Sequence, residues 1–174
     1  LIIHTYQRAK LSKLLDDLYI CCDNQKIASV AKHYNAKYIM TSPNHLNGTE
    51  RICEGYSKLK KREKNIEIVL DIQGDEPLIS PLHIDEVIRF HKKNLDADII
   101  LPTLKIESTN NTNIIKVVSN HKNEVMYLSR LNIPFSFKKE SKFIDKHLSI
   151  ISFKPDSLLK FAISKQTKYE LIED

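Results

Sequence analysis

The sequence predicts an α/β fold, with a mostly parallel sheet flanked by helices and a β-rich extension. Short apolar strands alternate with amphipathic helices over about the first hundred residues, which is typical of a parallel sheet with crossover helices. The central stretch 66–77 is an apolar, β-branched run that ends in a Gly and two carboxylates, as a buried strand does when it delivers charged groups to a sheet edge. Between 114 and 153, strands follow one another without intervening helices, which indicates the extension.

The chain begins with a helical pattern over residues 1–9. A short apolar strand is expected at 18–22, and Asp23 is placed to cap the helix that follows it. A second strand at 37–40 completes a βαβ unit, whose two strands should lie parallel. The apolar positions of the helix between them recur at helical spacing: Ile27, Val30, Ala31 and Tyr34.

The polar stretch 41–51 leads into the next predicted helix. Asn47 as N-cap and Glu50 three residues later form a variant of the capping box, which by itself explains Glu50 structurally. Gly48 and Thr49 then expose backbone amides and a hydroxyl at a helix N-terminus, where a polar ligand can bind.

The strand at 66–72 is predicted to end in a turn that presents functional groups. Gly74 permits a positive φ or the close approach of a ligand, and Pro77 stops the strand from continuing. The carboxylates of Asp75 and Glu76 are therefore expected at the surface. An ordinary strand-to-helix turn would use Gly, Asp and Pro for conformational reasons alone, and this alternative stays open on the stretch by itself.

Ser80 and Pro81 predict the start of a helix that continues to about Lys93, with Asp85 and Glu86 in its first turn. The remaining predicted elements are strands at 97–104, 114–118, 125–129 and 148–153 and helices that begin at 155 and near 167.

At 174 residues, with 41% hydrophobic and 28% charged content, the chain suits one soluble globular domain, 1–174, in which about 107–153 forms the extension. The net charge of +5 comes from dispersed lysines, with modest clusters only at 58–64 and 138–142. Aromatic residues do not alternate with these clusters, so we expect no nucleic-acid partner.

No apolar run approaches the ~20 residues that a membrane span needs, and the start lacks the pattern of a signal peptide. The three cysteines, Cys21, Cys22 and Cys53, lack metal-ligand spacing and are expected as reduced core residues. We therefore expect a cytoplasmic protein without a membrane partner.

Two segments resemble motifs of the sugar cytidylyltransferases, most closely the branch that acts on the acidic sugar Kdo (3-deoxy-manno-octulosonate). Residues 45–51, H-L-N-G-T-E-R, are similar to the family's H-x-S-G-T-[DE]-R, with Asn in place of Ser. Residues 71–77, D-I-Q-G-D-E-P, match its highly specific V-Q-G-D-E-P strand end. Supporting matches follow in the same order at 19–23, 113–118 and 127–134. The resemblance implies a Rossmann-like fold of the nucleotide-diphospho-sugar transferase type.

The resemblance also implies a reaction: CTP and Kdo combine to give CMP-Kdo and pyrophosphate, for lipopolysaccharide or capsule synthesis. Such a displacement needs charge neutralisation and alignment, so Mg²⁺ is the expected cofactor. Asp75 is expected to bind the metal and Gln73 to contact the ribose or the sugar, which makes both catalytic candidates. The residues expected to line the cytidine pocket are Gly48, Thr49 and Arg51, and Gly74 is a further substrate-binding candidate.

On the sugar side, the resemblance implicates Arg130, His147 and Glu170. Without it, His147 is expected to be a packed residue of an apolar strand and Glu170 a solvated helix residue. Arg130 could equally serve a dimer contact, because the family's β-rich extension supports homodimers. The family's H-x-G-I-Y strand reads H-L-S-I-I at 147–151, so its Gly and Tyr are replaced.

The family has further motifs that these 174 residues do not contain: a first strand with the phosphate-gripping loop P-A-R-x-x-S-x-R-x-P-x-K, and a second metal-binding Asp in V-D-T-x-x-D. We therefore expect that this chain alone does not turn over CTP. Two alternatives stay open, namely a cytidylyltransferase for another acidic sugar such as a sialic acid, and a catalytically inactive fragment of such an enzyme.

Overall fold

A computed structural model describes residues 1–61, 65–138 and 141–173. Residues 62–64 and 139–140, which belong to the two lysine clusters, lie outside the described residues. The chain divides into two units, one of residues 1–100 and 149–164 and one of residues 101–148 and those from 165 onward. In chain order the elements are α1 (Ile2–Ala9), β1 (Ile20–Cys22), α2 (Gln25–His33), β2 (Tyr38–Met40), α3 (Gly48–Lys60), β3 (Val69–Ile72), α4 (Pro81–Lys93), β4 (Ile99–Ile100), β5 (Thr103–Glu107), β6 (Lys116–Ser119), β7 (Val125–Ser129), β8 (Phe143–His147), β9 (Ile150–Phe153), α5 (Pro155–Ile163) and α6 (Glu170–Glu173).

The first unit contains two separate sheets. Strands β1 and β2 pair in parallel, with Cys21 opposite Ile39, so the predicted βαβ unit is confirmed. In the other sheet β9 lies between β3 and β4 and is antiparallel to both. The expectation of a mostly parallel sheet is therefore not confirmed, because a late strand enters between two earlier ones in the opposite direction. The α/β class itself holds.

The second unit is a four-stranded antiparallel sheet in the order β5, β8, β6, β7. The strand predicted at 125–129 has the predicted bounds, whereas the one predicted at 97–104 is two strands on either side of Pro102. Strand β8 was not predicted, because its Asp145-Lys146-His147 end lacks the apolar alternation of a half-buried strand.

Helix α2 buries a narrower face than its apolar pattern predicts. Only Ala28 and Ala31 are buried, whereas the side chains of Ile27, Val30 and Tyr34 are exposed. Asn24, not Asp23, caps this helix by accepting a hydrogen bond from the Lys26 amide at 2.8 Å. Asp23 does not cap the helix because its carboxylate is held by the guanidinium of Arg51 at 2.7 Å.

Asp85 also differs from its expected role as a helix-dipole residue. It is 1% exposed and accepts hydrogen bonds from the Ser12 hydroxyl (2.5 Å) and the amides of Lys13 (3.0 Å) and Leu14 (3.1 Å). Burial acts to raise the pKa of Asp85, but the hydrogen bonds from Ser12, Leu14 and Lys13 outweigh it and lower that pKa. The residue thus fixes the turn after α1 against α4.

A buried histidine connects α4 to the central strand of the three-stranded sheet. His91 is 1% exposed; its Nδ1 lies 2.6 Å from the Ser152 hydroxyl and its Nε2 lies 3.2 Å from the Ala97 carbonyl. Burial lowers the pKa of His91 below the ordinary imidazole value.

We expect this histidine to make the protein less stable in mild acid. Because the pKa of His91 is lower in the folded protein, the unfolded chain binds a proton at higher pH, so the free energy of unfolding should decrease as pH falls through about 6.5 towards the folded pKa. Urea unfolding at several pH values between 7.5 and 5.5 measures this decrease. His91→Gln should show a smaller decrease; an equal decrease in the variant would contradict the assignment.

Among the described residues, no helix combines the length and apolar character needed to cross a membrane. The three cysteines are free thiols, and Cys22 and Cys53 are buried as expected, while Cys21 is half-buried.

Candidate active site

The N-terminus of α3 is built as the sequence predicts. The Asn47 side chain accepts a hydrogen bond from the Glu50 amide at 2.9 Å, and the Glu50 carboxylate accepts one from the Leu46 amide at 2.9 Å. The second bond goes to Leu46 where a standard capping box would use the N-cap amide. Gly48 and Thr49 therefore occupy the first turn, whose amides have no carbonyl partners within the helix.

Arg51, in the same first turns of α3, joins the ends of two strands. Its guanidinium donates to the carboxylate of Asp23 at 2.7 Å, directly after β1, and to the hydroxyl of Thr41 at 2.9 Å, directly after β2. It also donates to the carbonyl of Ser42 at 3.1 Å. The planar fork of an arginine suits these three acceptors, which a lysine could not satisfy together.

The carboxyl end of β3 meets this helix terminus through Asp71, a residue to which sequence reasoning gave no role. Asp71 is 8% exposed, and its carboxylate accepts a hydrogen bond from the Thr49 hydroxyl at 3.3 Å. A side chain added at Gly48 would lie 3.9 Å from the same carboxylate. Burial raises the pKa of Asp71. A carboxylate within an otherwise apolar strand is the signal that could have identified it.

The turn after β3 exposes Asp75, as predicted, and also Gln73, whereas Glu76, the other carboxylate expected at the surface, is half-buried. Its backbone is fixed by the bond from the Gln73 amide to the Ser149 carbonyl (3.2 Å) and by the Thr5 hydroxyl, which donates to the Gly74 carbonyl (2.9 Å). The positive φ considered for Gly74 is wrong, since its φ is not in that region. Gly74 instead allows close packing, because a Cβ there would collide with the side chain of Ile2.

Asp75 is suited to a metal that takes few protein ligands. Its side chain makes no hydrogen bond that the described structure contains, and no cluster of three or more His, Cys, Asp or Glu side chains that could hold a metal occurs among the described residues. Mg²⁺ commonly uses one or two carboxylates and completes its shell with phosphate and water, so a single exposed carboxylate fits it. Glu76 is engaged elsewhere, accepting a hydrogen bond from the Ser149 hydroxyl at 2.7 Å.

The three residues implicated on the sugar side belong to the second unit. Arg130 follows β7, and its guanidinium donates to the Thr112 carbonyl at 3.3 Å. His147 is the last residue of β8, and its amide donates to the Ile115 carbonyl at 2.9 Å. The carboxylate of Glu170 accepts a hydrogen bond from the Thr167 amide at 2.6 Å, and this bond lowers the pKa of Glu170. Their roles in binding a sugar stay predictions.

Sequence reasoning missed a buried lysine beside Arg130. Lys116 is fully buried in β6, and its ammonium donates to the carbonyls of Asn111 at 2.8 Å and Arg130 at 2.6 Å. Burial lowers the pKa of Lys116. The signal was a lysine inside the apolar run 114–118, where a solvated side chain would break the strand's packing.

A cavity of about 740 Å³ in the first unit lies apart from these groups. Its lining is mainly apolar and includes Cys21, Ile52, Tyr56 and Val69, but none of the predicted site residues. The candidate site is therefore defined by converging polar groups at strand ends.

The chain is similar to known cytidylyltransferases over its length. A family model described as cytidylyltransferase matches residues 1–174. A 3-deoxy-manno-octulosonate cytidylyltransferase of Thermodesulfovibrio yellowstonii is 35% identical over 187 residues, covering 99% of this chain and 72% of that protein. An 8-amino-3,8-dideoxy-manno-octulosonate cytidylyltransferase of Shewanella baltica is 30% identical, covering 99% of this chain and 71% of that protein.

A solved structure, CMP:2-keto-3-deoxy-manno-octonic acid synthetase complexed with CTP, has the same fold. It superposes with a TM-score of 0.86 at 24% identity and covers 99% of this chain and 70% of that one. The matched family model, the sequence relatives and the motifs at 45–51 and 71–77 lead to one conclusion: the chain belongs to the cytidylyltransferase family.

Proposed function

We propose that this protein transfers the cytidylyl group of CTP to Kdo, giving CMP-Kdo and pyrophosphate for lipopolysaccharide or capsule synthesis. The observation that carries the proposal is the meeting of the α3 N-terminus with the ends of β1, β2 and β3 through Arg51 and Asp71. Arg51 is the last residue of the motif at 45–51, and Asp71 is the first residue of the motif at 71–77. The relative at 35% identity is named for this activity.

The first turn of α3 supplies the nucleotide side of the site. The amides of Gly48 and Thr49 stand at the positive end of a helix dipole, which favours polar and anionic groups of a nucleotide. Arg51 fixes the strand ends around them. Gln73, exposed after β3, donates a hydrogen bond to a ribose or sugar hydroxyl.

Asp75 would hold Mg²⁺, which when bound neutralises phosphate charge during the displacement. The exposed, unencumbered carboxylate supports this assignment. Arg130, His147 and Glu170 are the candidates for contacting the acidic sugar, of which Arg130 is suited to a carboxylate.

The proposal includes a homodimer formed through the second unit. The edge strand β7 exposes apolar side chains on both faces, namely Val125, Met126 and Leu128. Further exposed apolar residues follow the strand: Leu131, Phe135 and Phe137. A second copy of this chain that covers them would bury a large apolar area. Light scattering should then give twice the 20.2 kDa calculated for one chain of this sequence.

The free thiols support a reducing, cytoplasmic location, which cell fractionation tests.

Pyrophosphate release tests the activity directly. The protein, expressed from its complete reading frame, is given CTP, Mg²⁺ and one sugar at a time: Kdo, 8-amino-3,8-dideoxy-manno-octulosonate or N-acetylneuraminic acid. We expect release with Kdo. Release only with the 8-amino sugar, which the Shewanella relatives' name makes the second candidate, or only with the sialic acid would reassign the substrate. No CTP-dependent release with any of the three would overturn the proposal.

A further inference from the structure

The loop between β2 and α3, residues 41–47, is held by a carboxylate that lies one helical turn beyond the motif. Glu54 accepts a hydrogen bond from the Ser42 amide at 2.8 Å through Oε2, and the Nε2 atom of His45 lies 2.5 Å from the same oxygen. One side chain of α3 thus contacts the loop near its start and near its end.

The other oxygen of Glu54 is held from the opposite side. The Lys58 ammonium lies 2.6 Å from Oε1 and also donates to the carbonyl of Met40, the last residue of β2, at 2.6 Å. The hydrogen bonds from Lys58, Ser42 and His45 lower the pKa of Glu54 to about 2. The carboxylate is therefore ionised at every pH at which the protein would work.

Apart from Glu54, the loop is fixed to α3 on this side by Glu50, which accepts a hydrogen bond from the Leu46 amide at 2.9 Å. Its residues form no helix or strand, and fixing an irregular segment costs conformational entropy for each residue. Arg51 binds its first part from the other side, through Thr41 and Ser42. The chain then enters α3 at Asn47, so the position of the loop decides where the first amides of the helix point.

We propose that Glu54 is a positioning residue: with His45 and Lys58 it clamps the 41–47 loop, so that Gly48, Thr49 and Arg51 are already arranged for the nucleotide before it binds. The inference rests on the proposed function for the identity of the nucleotide. A site arranged in advance binds more tightly because less ordering remains to be done on binding.

Glu54→Gln tests this inference. The amide keeps the size of the side chain but has one acceptor where the carboxylate has two, so it cannot serve Ser42, His45 and Lys58 together. We expect the affinity for CTP to decrease about tenfold and the KM for CTP to increase by about the same factor, with kcat little changed. A merely structural role would lower the melting temperature and the active fraction, and hence kcat, without changing the KM.

The matched control is Glu86→Gln, which neutralises an exposed carboxylate on α4 and should leave CTP affinity unchanged. The double variant of His45→Gln and Glu54→Gln completes a mutant cycle. The losses of CTP affinity in the two single variants should not add in the double variant, because both substitutions remove the same contact. If Glu54→Gln does not fold, His45→Gln alone carries the test, with a smaller KM increase expected.

Amide hydrogen exchange in the free protein separates this inference from the proposed function. The amides of 42 and 46, which donate to Glu54 and Glu50 in the wild type, should exchange faster in Glu54→Gln than in the wild type and in the Glu86 control. The wild type could fail to bind CTP while the loop amides still exchange faster in Glu54→Gln. That result would overturn the proposed nucleotide but not the clamp. Folded Glu54→Gln with unchanged loop exchange, or with wild-type affinity for CTP, would overturn the clamp.

Discussion

Replacing Asp75 by Asn should remove nucleotidyl transfer while the fold stays intact. The side chain is exposed and makes no hydrogen bond within the described structure, so its charge contributes nothing evident to stability. A site that acts mainly by electrostatic stabilisation loses about 10²–10³-fold in kcat when one preorganised group is removed, and we expect at least that loss here. Initial rates of pyrophosphate release by the protein expressed from its complete reading frame, at saturating CTP and Kdo with Mg²⁺ varied, measure the effect.

Asp96→Asn is the control for this change. Asp96 is also an exposed carboxylate of the first unit without a described hydrogen bond, and its replacement should leave the rate unchanged. Equal melting temperatures of the two variants and the wild type would show that folding is not the cause. Near-normal Mg²⁺-dependent turnover of Asp75→Asn would contradict the proposed role of Asp75 in binding Mg²⁺.

Replacing Arg51 by Lys should affect both stability and nucleotide binding. An ammonium cannot reach Asp23, Thr41 and the Ser42 carbonyl together, so the ends of β1 and β2 would lose their common donor. Hydrogen bonds to charged groups contribute about 1.5–3 kcal/mol each, so we expect the free energy of unfolding to fall by about 2 kcal/mol. Affinity for CTP should fall as well, because the loop loses its second attachment.

Arg89→Lys is the control for Arg51. Arg89 is an exposed arginine on α4 with one long contact, 3.9 Å, to Asp85. Its replacement should change neither urea unfolding nor the CTP dissociation constant measured by calorimetry. An Arg51→Lys variant indistinguishable from the Arg89 variant in both measurements would remove Arg51 from the site.

Local sequence was sufficient for several features that adjacent residues decide, although it placed the cap of α2 at Asp23 and not at Asn24. The cap at Asn47, the helix start at Pro81 and the parallel pair β1 and β2 all follow from patterns within a few residues. The motif at 71–77 likewise indicated an exposed turn before any contact was known, because its polar residues stand directly after an apolar run.

What local sequence could not predict depends on residues far apart. In the sequence, Asp71 and Lys116 only interrupt apolar strands. Their hydrogen-bond partners, the Thr49 hydroxyl and the Arg130 carbonyl, come from distant parts of the chain. Asp85 resembles a helix-dipole residue until the turn at Ser12 supplies its donors. Glu54 has the same ambiguity, since nothing in a helical sequence tells whether a carboxylate faces solvent or a neighbouring loop.

The placement of β9 determines when the first unit can finish folding during synthesis. Both β3 and β4 pair with β9, which the ribosome makes only after the whole four-stranded sheet of the second unit. Residues are added at about 5–20 per second, so β3 and β4 remain unpaired, with apolar side chains exposed, for several seconds before β9 is made. Such long-range pairing is slow to form and exposes the nascent chain to aggregation and to chaperones in the meantime. A chain that stopped within 101–148 would leave the three-stranded sheet of the first unit unformed, although residues 101–148 belong to the other unit.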